Sequence, residues 1–273
     1  HLLPGLEPKG VPRALRGTAL PFKFNDVADF NAVLEKNGDE VGVIVLEIIR
    51  NDEPDLEFLK VISEAAKERG IIFVVDEITS GWRLNLGGAH LLYNITPDIA
   101  VFGKTTSNGY PFGALIGKKE VMQVAQETFI SSTYWTDRIG TVAALATIKE
   151  MQRLDISSHL TRIGRKVQDG WRGLLQEFKI PHIIFGITPL SHFGFQHEDA
   201  QILKTFFTQE MLKKGYLAST VLYTSLSHSD ESVEKYLLSC REVFCQIADL
   251  IKQGNTKEIL SGPVSHTGFK RLN

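Results

Sequence analysis

The sequence predicts an α/β fold with a mostly parallel sheet, followed by a smaller α+β unit, and three observations carry that prediction. Val41 to Ile48 (VGVIVLEI) and Ile71 to Val75 (IIFVV) are short apolar runs rich in β-branched residues. That is the pattern of strands buried on both faces. Between them, the stretch from Pro54-Asp55 to Arg69 sets Phe58, Leu59, Ile62, Ala65 and Ala66 on one side of a helix, with Gly70 just past its end. Strand, helix and strand within about forty residues make a βαβ unit, whose parallel strands are joined by a right-handed crossover. Beyond Asp155 the pattern changes: helical stretches near 158–177 and 199–214 flank the short apolar segments Ile183–Ile187 and His192–Phe195. The expected division is a first domain over residues 1–155 and a second over 156–273.

The remaining elements follow the same logic. Asn25 to Lys36 places Val27, Phe30, Val33 and Leu34 at helical spacing, and Gly38 stops it. Ile99–Phe102 and Ala114–Ile116 read as two short strands separated by a Gly-rich turn, and a helix runs from about Ile139 to Met151. The last helix is the clearest. Ser229 caps it, Asp230 and Glu231 favour its dipole, and Gly254 ends it. Val233, Leu237, Cys240, Phe244, Ile247 and Ile251 form its apolar stripe.

Composition excludes several classes. With 43% hydrophobic and 23% charged residues, the chain is neither disordered nor a coiled coil. Thirty basic against 32 acidic side chains give a net charge of −2, without the basic excess of a nucleic-acid binder. The greasiest stretch, Val41 to Ile49, is short and contains Glu47, so no membrane span is expected. Cys240 and Cys245 sit five apart on one helix, too poorly placed for a disulfide framework, which points to a reducing, cytoplasmic setting. The chain opens at His1 with HLLPGLEPKGVPRALRG, which has no basic-then-apolar targeting pattern. The histidines are scattered without metal-ligand spacing, so no metal is expected.

In open α/β sheets, ligands bind beyond the carboxyl ends of the strands. Asp76 ends the strand IIFVVD, and Lys104 follows the strand IAVFG. An apolar strand feeding a buried lysine is informative, because burial favours the neutral amine needed for imine formation. Three readings compete. One is a structural Asp–Lys ion pair, or two unrelated residues at the rim. A second is a P-loop, since Gly103-Lys104-Thr105 imitates its ending. That loop needs a glycine where this chain has Asp98, and Ile99 to Phe102 read as strand, so the geometry fails. The third is a pyridoxal-phosphate (PLP) site. There a lysine carries the cofactor as a Schiff base, and a carboxylate keeps the pyridine nitrogen protonated.

The segment VVDEITSGWRLNLGGAHLLYNITPDIAVFGKTTSNGYPFGALIG, residues 74–117, resembles the signature region of the class III, fold-type I aminotransferases. It carries the Asp-Glu opening, Gly81 and Arg83, Pro97-Asp98 before the last strand, and Lys104 with its downstream glycine turn. The similarity runs from about Leu20 to the C-terminus. The segments GITPLSHFGF and SGPVSHTGFKRLN resemble the glutamate-1-semialdehyde aminomutase-like branch.

The resemblance implies a PLP-transferase large domain, incomplete at its N-terminus, and a smaller C-terminal domain. It implies an enzyme moving an amino group between a small-molecule donor and a carbonyl acceptor, as a transaminase or an aminomutase. Lys104 would form the internal aldimine and act as the base, and Asp76 would pair with the pyridinium nitrogen. Ile78 would press on the ring face. Thr133, in SSTYWTDR, would reach the cofactor phosphate of a neighbouring subunit, which implies a homodimer; Tyr134 and Trp135 beside it suit an interface. Glu47, at the end of the first strand, matches a glutamate that the family carries near the active site.

Two departures stand beside these matches. After the lysine, the aminomutase has a run of glycines where this chain reads Thr105-Thr106-Ser107-Asn108-Gly109-Tyr110. Family members also carry an N-terminal part, before the position of His1, that supplies a phosphate-binding turn and a ring-stacking aromatic. The expectation is that the chain begins inside its large domain. The alternative function is a catalytically silent fragment or binding protein that keeps the fold.

Overall fold

A four-stranded sheet holds the first half of the molecule, with β1 (Val43–Leu46), β2 (Ile72–Asp76), β3 (Ile99–Phe102) and β4 (Ala114–Gly117) in that order. In this computed structural model, which describes residues 9–254 and 259–266, β1, β2 and β3 run parallel and β4 returns antiparallel to β3. The parallel pair β1–β2 is joined by a helix, α2 (Leu56–Arg69), as a parallel crossover requires. The connection from β3 to β4 contains no such helix, and an antiparallel return needs none. The sheet is thus α/β and mostly parallel, as the periodicity predicts.

Local signals account for the helix ends. The carboxylate of Asp55 accepts from Glu57 N at 2.8 Å and caps α2, while Gly70 closes it at φ 66°. Before β1 lies α1 (Val27–Asn37), capped by Asp26 and burying Phe30 and Leu34. After β4 come the short α3 (Lys119–Met122) and then α4 (Arg138–Arg153), close to the expected span.

β1 corrects one expectation. It is shorter than the run 41–48, and it is buried on one face only. Ile44 and Leu46 point into the core, whereas Val43 and Val45 are 53% and 59% exposed. Strand alternation puts this second pair on the opposite face, and a broad open groove of about 1070 Å³ runs along the strand. Phe22, Phe24 and Phe30 also line it. β2 is likewise half-buried at Ile72 and Val74.

The second half packs α5 (Ile156–Glu177), α6 (Ala200–Lys213) and α7 (Asp230–Gln253) against an antiparallel sheet. That sheet has the order β5 (His182–Phe185), β6 (Leu190–Phe195) and β7 (Val221–Tyr223). Its core is aromatic: the ring of Trp171 meets Phe193 edge-on at 4.9 Å, and its indole N–H donates to the Tyr236 hydroxyl at 3.1 Å. Ser229 caps α7 by accepting from Ser232 N, and Gly254 ends it in the left-handed region, as the sequence predicts.

The two halves are seamed together. Gly186 N and Ile187 N, from the turn after β5, donate to the carbonyls of Asn51 and Arg50 at 2.9 and 3.1 Å. Ile187 and Leu190 then bury themselves among the core residues of the first sheet. The opening residues 1–8 and the tail 267–273, including the final GFKRLN read above, lie outside the described residues.

Candidate functional site

The parallel register lines up the carboxyl ends of β1, β2 and β3. Leu46 pairs with Val75, so Glu47 and Asp76 follow side by side, and Asp76 pairs with Val101 three residues before Lys104. Three of the predicted residues therefore sit on one rim of the sheet by topology alone.

Each is then shaped by its own turn. The Oδ1 atom of Asp76 accepts from Ile78 N at 2.9 Å, an Asx turn that bends the chain away from the strand. That bond occupies one oxygen of the half-buried carboxylate, and among the described residues Oδ2 makes no hydrogen bond. Ile78 turns back onto β3. Its Cγ2 methyl and Cγ1 methylene lie 3.5 and 3.7 Å from the point where a Cβ at Gly103 would stand. A glycine there lets an apolar side chain lie flat against the backbone beside Lys104.

Lys104 has φ 46°, in the left-handed region. A non-glycine residue there stores about 1–3 kcal/mol that the surrounding structure must hold. Its amine donates to the Thr79 hydroxyl at 2.8 Å. The expectation of a buried lysine is corrected: Lys104 is exposed, because β3 ends at Phe102 and Gly103 carries the chain out over the sheet rim. Its availability rests on access and the hydrogen bond to Thr79, and burial contributes nothing to it.

Behind this rim lies a polar cluster that the residue pattern alone does not single out. Glu77 follows Asp76 and is 1% exposed. One oxygen of its carboxylate accepts from His90 N at 2.8 Å and from His90 Nδ1 at 2.7 Å; the other accepts from the Ser80 hydroxyl at 2.7 Å. A carboxylate only accepts, so His90 Nδ1 carries the proton in this pair. Burial pushes the Glu77 pKa up, but the bonds from the His90 ring, Ser80 and the backbone outweigh it and hold the pKa below the usual glutamate value. The cluster ties residue 77 to residue 90 and so fixes the loop that carries Ile78 and Thr79. Arg83 is buried as well, its Nε donating to Thr79 O at 2.8 Å. The Asp-Glu pair and Arg83 are visible in the sequence as motif letters. The acceptor role of Glu77 depends on a histidine thirteen residues away, which no spacing rule marks.

Glu47 stands on the rim next to Asp76, half-buried and 3.4 Å from Arg50 through Oε2. Its other oxygen is buried with no hydrogen-bond partner among the described residues. The groove along β1 reaches the site at this residue. Thr133 is not gathered with the others. It lies in the exposed turn before α4, flanked by Tyr134 and Trp135, which are 77% and 67% exposed. Among the described residues, no group of three or more His, Cys, Asp or Glu side chains is placed to hold a metal ion.

Comparison with known proteins supplies the family. Over 254 residues the chain is 29% identical to a 3-aminobutyryl-CoA aminotransferase of Cloacimonas acidaminovorans (strain Evry), covering 89% of this chain and 61% of that protein. It is 28% identical over 237 residues to a 2'-deamino-2'-hydroxyneamine transaminase of Streptomyces kanamyceticus, covering 84% and 59%. The chain thus spans about three fifths of the length of these curated relatives. Among solved structures, the fold matches the FumI protein of Sphingopyxis sp. MTA144 in its PLP internal aldimine form. The TM-score is 0.80 at 19% identity, covering 85% of this chain and 58% of that one. An omega-transaminase from Sphaerobacter thermophilus matches with a TM-score of 0.79 at 20% identity, covering 88% and 60%. The family model of class III aminotransferases matches residues 19–231, well over half of the chain. The chain belongs to the class III aminotransferase family.

Proposed function

We propose that the protein works in PLP-dependent transfer of an amino group from a small-molecule donor to a carbonyl acceptor, with Lys104 as the residue that carries the cofactor. One observation carries the reading: an exposed amine and a carboxylate stand at the carboxyl ends of neighbouring parallel strands, with an aliphatic side chain set between them. This donor set fits PLP. Asp76 Oδ2 is available to a protonated pyridine nitrogen, Ile78 offers an apolar wall to the ring, and Lys104 Nζ is reachable by the aldehyde.

The bound cofactor would supply an electron sink for the substrate carbon that bears the amino group. The chain's own residues would do the rest. Asp76 would hold the proton on the ring nitrogen. Lys104 Nζ, once released by the incoming donor, would take the proton from that substrate carbon and return it during transfer. Its hydrogen bond to Thr79 aims the amine while it waits. Glu47, with one oxygen unpartnered beside Asp76, is placed to orient a donor group of the substrate.

The working protein in this reading is a homodimer in which Thr133 reaches the cofactor phosphate of the neighbouring subunit. Phe129, Tyr134 and Trp135, all strongly exposed around it, support an apolar subunit contact. The two free cysteines support a cytoplasmic setting, and no helix among the described residues is long and apolar enough to cross a membrane. Intermolecular transamination is preferred to the aminomutase-like reaction, since Thr105 to Tyr110 holds a single glycine at 109.

The reading is tested by adding PLP and following the visible band of the lysine-linked cofactor, then reducing with borohydride and mapping the modified residue. The expected result is a band that borohydride removes, with the label on Lys104; Lys104→Ala should lose band and turnover while keeping the fold. Absence of label at Lys104 in the full-length protein would leave the silent-fold alternative standing. An active monomer, shown by sedimentation, would refute the role of Thr133.

A further inference from the structure

Arg83 is 9% exposed, yet among the described residues no carboxylate pairs with its guanidinium. Burying such a cation without a counter-charge is costly, and desolvation pushes its pKa down. Two contacts hold it instead. Its Nε donates to the carbonyl of Thr79 at 2.8 Å, and its Cζ lies 5.5 Å from the ring centroid of Tyr223. Tyr223 ends β7, in the second sheet, whereas Arg83 belongs to the loop after β2 in the first. Trp82, at φ 63°, is the residue at which the chain turns just before Arg83.

Thr79 is the hinge of this arrangement. It is 4% exposed, its carbonyl faces Arg83, and its hydroxyl accepts from the Lys104 amine at 2.8 Å. Three contacts in sequence thus connect a side chain of the second sheet to the amine on the rim of the first. The Glu77–His90 clamp fixes the ends of the loop, and its hydrogen bonds go to Ser80 and His90, with none to Thr79 or Arg83.

We propose that Arg83 is a positioning residue: clasped by the Tyr223 ring, it holds Thr79 in place and thereby sets where the Lys104 amine points. The proposal rests on the reading of Lys104 as the reactive amine, and its test needs no cofactor. It explains an unpaired buried cation as a bridge between the two sheets, where an ordinary ion pair would tie Arg83 to its own loop.

The experiment uses the full chain with its lysines reductively methylated with ¹³C-formaldehyde; the Lys104 resonance is assigned by its loss in Lys104→Arg. Thr79→Val, which removes the acceptor, sets the scale by moving that resonance towards those of lysines without a side-chain hydrogen bond. Tyr223→Leu is expected to move it in the same direction by at least half as much. Tyr223→Phe, which keeps the ring, should leave it in its native position. Tyr223 is 46% exposed, so these substitutions do not empty the core, and circular dichroism checks the fold. A Lys104 resonance unmoved by Tyr223→Leu, or unmoved by Thr79→Val, would overturn the proposal. Borohydride labelling of Lys104 is scored separately, so loss of the functional reading and loss of this coupling are distinguishable.

Discussion

Between residues 76 and 107 the chain buries Glu77, Thr79, Ser80, Arg83, His90, Thr106 and Ser107, while the second half buries rings. Among the described residues, only Ser191, Thr220 and Thr224 join those seven as buried polar side chains. The second half instead stacks Trp171, Phe193, Phe207 and Phe244 into one apolar cluster. A polar group costs free energy to bury unless it is hydrogen-bonded, so a cluster of them persists only where it holds something in place. Here it holds the loop that presents Ile78 and Thr79 to Lys104. The apolar cluster supplies stability and chooses no chemistry.

Four substitutions or conditions probe that division. Trp171→Ala should cost about 4 kcal/mol in urea unfolding, through the cavity left by a fully buried indole and the loss of its bond to Tyr236. Borohydride labelling of Lys104 in the folded fraction should be unchanged, and a changed label would show that the aromatic core also shapes the rim. Glu77→Ala should cost about 3 kcal/mol, because His90 N, the His90 ring and Ser80 lose their common acceptor inside the protein. It should also slow labelling at Lys104, the combined effect that Trp171→Ala lacks.

Gly164→Ala comes next. A Cβ on Gly164 of α5 would collide with the Thr188 backbone, so a loss of about 2 kcal/mol is expected by the same assay, with no effect at Lys104. The smallest effect is that of acid. The Glu77 pKa is lowered on folding, so its stabilisation is complete above the ordinary glutamate value of about 4.3 and fades as pH falls through the lower folded value. Denaturation midpoints in wild type should therefore drop more steeply below that pH than those of Glu77→Gln.

The strand-end site was legible because topology does most of the placing. A βαβ unit puts Asp76 at a carboxyl edge, and the next strand brings Lys104 to the same edge, so apolar periodicity suffices to align them. The helix caps Asp55, Ser229, Gly70 and Gly254 were legible for a local reason, since each bond they make spans a few residues. Burial was less legible. Val41 to Ile48 is apolar throughout, but apolarity does not say which faces find a neighbour, and Val43 and Val45 find open groove. The exposure of Lys104 is illegible for a related reason: the strand ends at Phe102 as expected, but its apolarity does not say whether the turn that follows stays under the rim or leaves the sheet. The Glu77–His90 clamp and the Arg83–Tyr223 contact were illegible because they join residues 13 and 140 apart whose types alone give no hint of pairing.

The left-handed backbone at Lys104 has a consequence for which residues can replace it. Glycine adopts that conformation freely, so Lys104→Gly would shed the stored strain as it deletes the amine. Thermal unfolding of Lys104→Gly should occur above that of Lys104→Ala, which keeps a Cβ in the strained position. Replacement of the lysine by glycine would then cost its hydrogen bond to Thr79, offset by the strain released. Relatives of this fold that lack the lysine are expected to carry glycine or asparagine at position 104, while the loop behind it stays intact.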